Sequence, residues 1–145
     1  MSGDGVNKPQ AISFPSFKGN NINPATNTSR ILVVDDEKFN CDIILGFLML
    51  LGLKNRHQRT AFAYNGEQAV AQVQQAIDQG DPTRFKLILM DCNMPFMDGY
   101  QATKNIRRLT QGLPQEDQPK IFAVTGHVED EYYTKAISAG MDQVY

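Results

Sequence analysis

The chain has 145 residues, room for one domain of ordinary size, and 41% of them are hydrophobic, enough for a buried core. Fourteen Lys and Arg against sixteen Asp and Glu leave a net charge of −2, which gives no electrostatic reason to bind nucleic acid or an anionic membrane. Two cysteines, Cys41 and Cys92, exclude a disulfide framework and lack the Cys/His clustering of a zinc site; a reduced, intracellular setting fits best.

In chain order, residues 1–29 read as a flexible tail or linker. They carry Pro9, Pro15 and Pro24, five asparagines, and only Asp4, Lys8 and Lys18 as charges, with no sustained apolar period. Ile12, Phe14 and Phe17 read as stray apolar residues of such a tail. No charged-then-apolar leader opens the chain, and its longest apolar run, residues 43–53, is too short to span a bilayer.

From Arg30 the pattern changes. Residues 31–34 are wholly apolar and mostly β-branched, the mark of a strand buried on both faces. Phe39, Ile43, Phe47 and Leu50 then recur at helical spacing, with Ile44, Leu48 and Leu51 beside them, and Gly52 supplies a stop. Residues 60–64 read as a second strand. Asn65 can cap the next helix, with Gln68 placed to reach back, and Ala69, Val70, Val73, Ala76 and Ile77 form its buried stripe. A third strand spans 85–90 and ends in Asp91. A helix over 99–109 follows, capped by Asp98. Residues 114–119 form a polar loop, 121–124 a fourth strand ending at Thr125, and 129–139 a helix closed by Gly140. Val144 and Tyr145 open a fifth strand.

Strict alternation of apolar strands with helices means βαβ units, a parallel sheet and helices on both its faces. In such sheets functional groups gather at the carboxyl ends of the strands. Here those ends carry Asp35 and Asp36, Asp91, and Thr125. Close carboxylates repel unless a cation compensates, and hard oxygen ligands of this kind suit Mg²⁺. Taken singly, each acid could be a helix cap or a turn residue.

The stretches Val33-Val34-Asp35-Asp36-Glu37, Leu89-Met90-Asp91-Cys92-Asn93-Met94-Pro95-Phe96-Met97-Asp98-Gly99 and Ala123-Val124-Thr125-Gly126 resemble the response-regulator receiver domain of two-component signalling. The second is especially similar to receivers of hybrid sensor histidine kinases. The resemblance covers residues 30–145. It implies a flavodoxin-like α/β sandwich with strand order 2-1-3-4-5, truncated in the fifth strand. It implies a phosphorelay module, not an enzyme in the ordinary sense, that takes a phosphoryl group from a histidine kinase or histidine phosphotransfer protein. By the same resemblance Asp91 is the phosphoacceptor, Asp36 binds Mg²⁺ with Asp35 orienting it, the backbone carbonyl of Asn93 is a further ligand, and Thr125 is the switch hydroxyl. Pro95 and Gly99 shape the loop. The implied setting is the cytoplasm, including the cytoplasmic part of a membrane-bound hybrid kinase, with no nucleic-acid or membrane contact by this chain.

The chain departs from the family in two ways. The lysine that ends the fifth strand would fall about two residues beyond Tyr145, and the last helix after it, which suggests a fragment of a longer protein and an uncovered apolar face on the first helix. The fifth-strand aromatic falls at Val144, while Tyr145 points to the other face. The missing lysine motivates an alternative, a pseudo-receiver that binds partners without phosphotransfer; the intact acids oppose it. A hydrolase with an Asp nucleophile would need an acid where Asn93 stands, and no G-x-G-x-x-G follows the first strand to bind a dinucleotide. His57, His127 and the Arg107-Arg108 pair read as surface residues, and Cys92 as a small core residue.

Overall fold

The computed structural model describes residues 30–53, 59–126 and 129–145. The predicted tail, His57 and His127 lie outside the described residues. The element order is β1 (Ile31–Val34), α1 (Lys38–Leu50), β2 (Thr60–Ala63), α2 (Gly66–Asp78), β3 (Leu87–Asp91), α3 (Gly99–Thr110), β4 (Lys120–Val124), α4 (Asp130–Ala139) and β5 (Gln143–Val144). The strands form one parallel sheet in the order β2-β1-β3-β4-β5, the flavodoxin-like arrangement expected from the sequence. Strand and helix ends differ from the sequence prediction by one or two residues. A single 3₁₀ turn, Gln115–Asp117, occupies the polar loop.

Side-chain alternation divides the core in two. Leu32, Val34, Ile88, Met90, Ile121 and Ala123 face one way, with Ala69, Val73, Ala102, Ile106 and Ala136 from α2, α3 and α4. Ile31, Val33 and Leu87 face the other way, with Cys41 and Leu48 from α1. The chain steps from β1 to β2 in one direction and from β2 onward in the other. Right-handed crossovers therefore put α1 on one face and α2, α3 and α4 on the opposite one. The reversal falls between β1 and β3, and there the helices leave an open crevice at the carboxyl ends of the strands.

Helix α1 buries only one side of the broad apolar face its spacing suggested. Cys41 and Leu48 are buried, while Phe39, Phe47 and Leu50 are more than half exposed. An apolar helix has too many apolar positions for one narrow contact, and the sheet selects the stripe that faces it.

The caps follow the sequence closely. The Asn65 side chain accepts from the Gln68 N–H at 2.7 Å, and Gln68 Oε1 returns to the Tyr64 N–H at 2.8 Å. Asp98 accepts from the Gln101 N–H at 2.8 Å. Gly140, at φ 107°, ends α4 in the left-handed conformation.

Arg107 corrects the expectation of a solvated arginine pair. Its Nε donates to the Gly140 carbonyl at 2.9 Å, one terminal nitrogen to Pro119 O at 2.8 Å, and the other to Asp142 at 2.8 Å. Asp142 also accepts the Ile121 N–H at 2.9 Å, so this guanidinium ties α3 to both ends of the β4–α4–β5 unit. Arg108 does remain on the exposed face.

Gly99 is required by a close approach. A Cβ there would overlap the Asp91 carbonyl oxygen and lie 2.9 Å from both Cys92 Cα and Met90 Cγ. Two of these three obstacles are backbone and cannot rotate away. Gly99→Ala is expected to cost about 2–3 kcal/mol, the upper part of the range for overpacking. Chemical denaturation of the two proteins side by side checks it; equal midpoints would contradict the packing.

Candidate functional site

The acids at the strand ends meet in the crevice. Val34 pairs with Met90 and Asp91 with Val124, so Asp35 continues β1 beside Asp91, and Thr125 follows on the far side. Asp35, Asp36 and Asp91 each present a carboxylate oxygen within 4.8 Å of the others. Thr125 lines the same crevice, as do Asn40, Ile43, Ile44 and Phe47 of α1. The Thr125 N–H donates to the Tyr145 carbonyl at 3.0 Å, which ties the end of β4 to the edge strand.

Each carboxylate is held differently. Asp35 is only 5% exposed. Its Oδ1 accepts from the Glu37 N–H at 2.9 Å and from Asn40 Nδ2 at 3.3 Å. It thus occupies a free amide at the start of α1, although the cap position itself belongs to Glu37, which makes no side-chain cap bond. Asp36 is exposed, and Asp91 is half-buried. Asp91 Oδ1 accepts the Asn93 N–H at 3.0 Å, which orients the carboxylate on its own loop.

Burial pushes the Asp91 carboxyl up to about 6, opposed by the Asn93 N–H and reinforced by the negative charges of Asp35 and Asp36. Three acids are packed this closely, and among the described residues no salt bridge from a lysine or arginine offsets their charge. That donor set, all carboxylate oxygen on rigid strand ends, fits a hard divalent cation.

Asn40 was missed in the sequence. Nothing in its residue type marks it; the first turn of α1 brings its amide back to Asp35, five residues earlier. Cys92 is buried in the core under α2, α3 and α4, as expected for the residue after Asp91. Val144 packs against that same core, whereas the Tyr145 ring meets Phe122 edge-on at 5.6 Å on the α1 side. The two residues therefore do point to opposite faces.

A scan against protein families matches residues 31–144 to the response regulator receiver domain. The chain belongs to this family. Among curated relatives, this receiver is 35% identical over 78% of its length to the histidine kinase CKI1 of Arabidopsis thaliana, and 33% identical over 92% to the kinase BarA of Escherichia coli K12. It spans only 10% and 13% of those two proteins. Among solved structures, it is similar to the CKI1 receiver domain complexed with Mg²⁺ and BeF₃⁻: TM-score 0.67 and 33% identity, over 81% of this chain and 79% of that one. The receiver domain of the sensor kinase PA1611 from Pseudomonas aeruginosa, with magnesium in its active-site cleft, has TM-score 0.59 and 29% identity, over 79% of this chain and 81% of that one. This chain is accordingly a signalling domain of the kind found in hybrid histidine kinases. Among the described residues, no helix is long and apolar enough to cross a membrane.

Proposed function

We propose that this receiver accepts a phosphoryl group from a phosphohistidine onto the carboxylate of Asp91. Asp36 and Asp91, the backbone carbonyl of Asn93, and Asp35 acting mainly to orient would hold Mg²⁺. The single observation that carries this is the meeting of three carboxylate oxygens within 4.8 Å at the reversal of strand order. When bound, Mg²⁺ offsets the negative charge that would otherwise repel an incoming phosphoryl group.

The residues of the chain do the rest. Asp91 sits on a rigid strand end with one oxygen fixed by the Asn93 N–H, leaving the other to attack. An oxygen of Asp91 bonds to phosphorus as the P–N bond of the donor breaks, and the electron pair returns to the imidazole nitrogen. Its raised pKa makes Asp91 more basic than an ordinary carboxylate, yet leaves it ionised at neutral pH. Asn40 and the Glu37 N–H keep Asp35 in place. The Thr125 hydroxyl, at the wall of the crevice, is the group drawn toward the added charge. Through the Thr125 to Tyr145 hydrogen bond, such a movement reaches the sheet edge.

On this reading residues 30–145 are the receiver domain and residues 1–29 a tail or linker. The module works in the cytoplasm, beside a histidine kinase or histidine phosphotransfer protein, including the remainder of a hybrid kinase. It catalyses at most its own phosphorylation and dephosphorylation. The test is incubation with acetyl phosphate and Mg²⁺, followed by mapping of the hydroxylamine-labile acyl phosphate. Modification at Asp91 is expected; its absence there overturns the proposal.

A further inference from the structure

The loop between β3 and α3 contains a contradiction in its local chemistry. Phe96 is fully exposed, and it is the one non-glycine with positive φ, 67°, among the described residues. Pro95 before a left-handed residue is the pattern of a type II turn, a position that favours Gly or Asn. A bulky aromatic is strained there, and exposing its ring to water offers no compensation.

The neighbours explain the geometry but not the residue. Met94 is buried in the core and Met97 packs against it. Met97 also abuts the start of α2, where a Cβ on Gly66 would lie 2.6 Å from the Met97 carbonyl oxygen. With residues 94 and 97 both drawn inward, 95 and 96 must bulge outward. Glycine or asparagine would make that bulge with less strain. The loop is closed at its base by the Gly99 N–H on the Cys92 carbonyl at 3.2 Å, and Gly99 rests on the Asp91 carbonyl. Three residues from Gly99, Phe96 can stand no more than about 10 Å from that base.

We infer that Phe96 is a specificity-determining anchor for the protein that delivers the phosphoryl group, seating its ring in an apolar hollow beside the donor's phosphohistidine. This rests on the phosphoacceptor role of Asp91. A histidine side chain is short, so a protein donor that reaches Asp91 must bring its own surface against the loops around that carboxylate, and the exposed Phe96 stands five residues after Asp91 in one of them. An exposed, conformationally restricted aromatic is the kind of group that dominates binding in a small interface. A small-molecule donor has no such surface and does not need it.

The experiment compares wild type with Phe96→Asn and Phe96→Gly, which suit the left-handed backbone and so leave the melting temperature unchanged or higher. Two donors are used: acetyl phosphate, and whichever member of a panel of histidine-phosphorylated phosphotransfer proteins labels wild type fastest. Labelling by acetyl phosphate is expected to be equal in all three. Transfer from the protein donor at subsaturating concentration is expected to fall roughly tenfold to thirtyfold in both variants, as for loss of an aromatic hot spot. Unchanged transfer from the protein donor overturns the inference. So does loss of self-association in the variants with transfer intact, which would make a second copy of the chain the occupant. Failure of every protein donor on wild type, while acetyl phosphate works, overturns it too. Failure of acetyl phosphate on wild type instead sinks the phosphoacceptor role itself.

Discussion

Asp91→Asn is expected to reduce acyl-phosphate formation to background, a loss of ~10³-fold or more, as for removal of a nucleophile. An amide cannot form the acyl phosphate, and no other carboxylate replaces it. Asp36 is exposed on a different strand end, and Asp35 is engaged by the Glu37 N–H and Asn40. The fold should survive, because the amide oxygen of Asn can still accept the Asn93 N–H. Without metal it should become more stable at neutral pH. The folded chain raises the Asp91 carboxyl to about 6 from the ordinary 3.8, so above pH 6 the folded state holds a charge that it disfavours relative to the unfolded chain. Removing that charge raises the melting temperature at pH 7.5. The gain shrinks as pH falls from 6 toward 4, where the wild-type carboxyl is protonated in the folded state and costs nothing. Radiolabelling with phosphate and melting curves across pH measure the two effects. Label retained at full strength, or a destabilised variant at pH 7.5, would contradict the assignment.

Asp36→Asn is expected to remove most of the response to Mg²⁺. Wild type should melt higher in excess Mg²⁺ than in chelator, since a ligand bound only by the folded state at a hundred times its Kd adds about 2.7 kcal/mol. That increment should be largest near neutral pH and disappear as pH drops through 6, where protons compete for Asp91. The variant should show little Mg²⁺-dependent shift, and its labelling by acetyl phosphate should fall by roughly 10²–10³-fold, as when one electrostatic stabiliser is removed. Its side chain is exposed and its charge repels that of Asp91, so the variant's melting temperature in chelator should equal or exceed that of wild type. Calorimetric titration with Mg²⁺ gives a direct check. A variant that binds the ion as tightly as wild type would place the cation elsewhere.

The two predictions concern residues that were already conspicuous as amino acids. Apolar runs ending in Asp35, Asp91 and Thr125 were legible because a strand buried on both faces must be continuously apolar, so the first polar residue marks where it leaves the core. Asn65 and Asp98 announced their helices because a cap needs a short side-chain acceptor at one position. Such features depend on a few neighbouring residues, and periodicity reveals them.

Other features depended on how elements were set against one another. Phe39, Phe47 and Leu50 look like a core stripe on a helical wheel, but of the broad apolar face the sheet covers only the side with Ile44 and Leu48, together with Cys41. Arg107 looks like half of a surface pair until the α4–β5 connection brings Gly140 and Asp142 to it across more than thirty residues. Asn40 and Phe96 carry no mark in the sequence either. One matters because the first turn of α1 folds its amide back onto Asp35, the other through two methionines pulled inward on either side of it. The sequence by itself determined which strands exist, which face each residue takes and which acids end them, because those follow from backbone period and burial. Only the tertiary structure decided which helix face is covered and which polar groups meet, because a contact between distant segments is set by packing angles that no local pattern encodes.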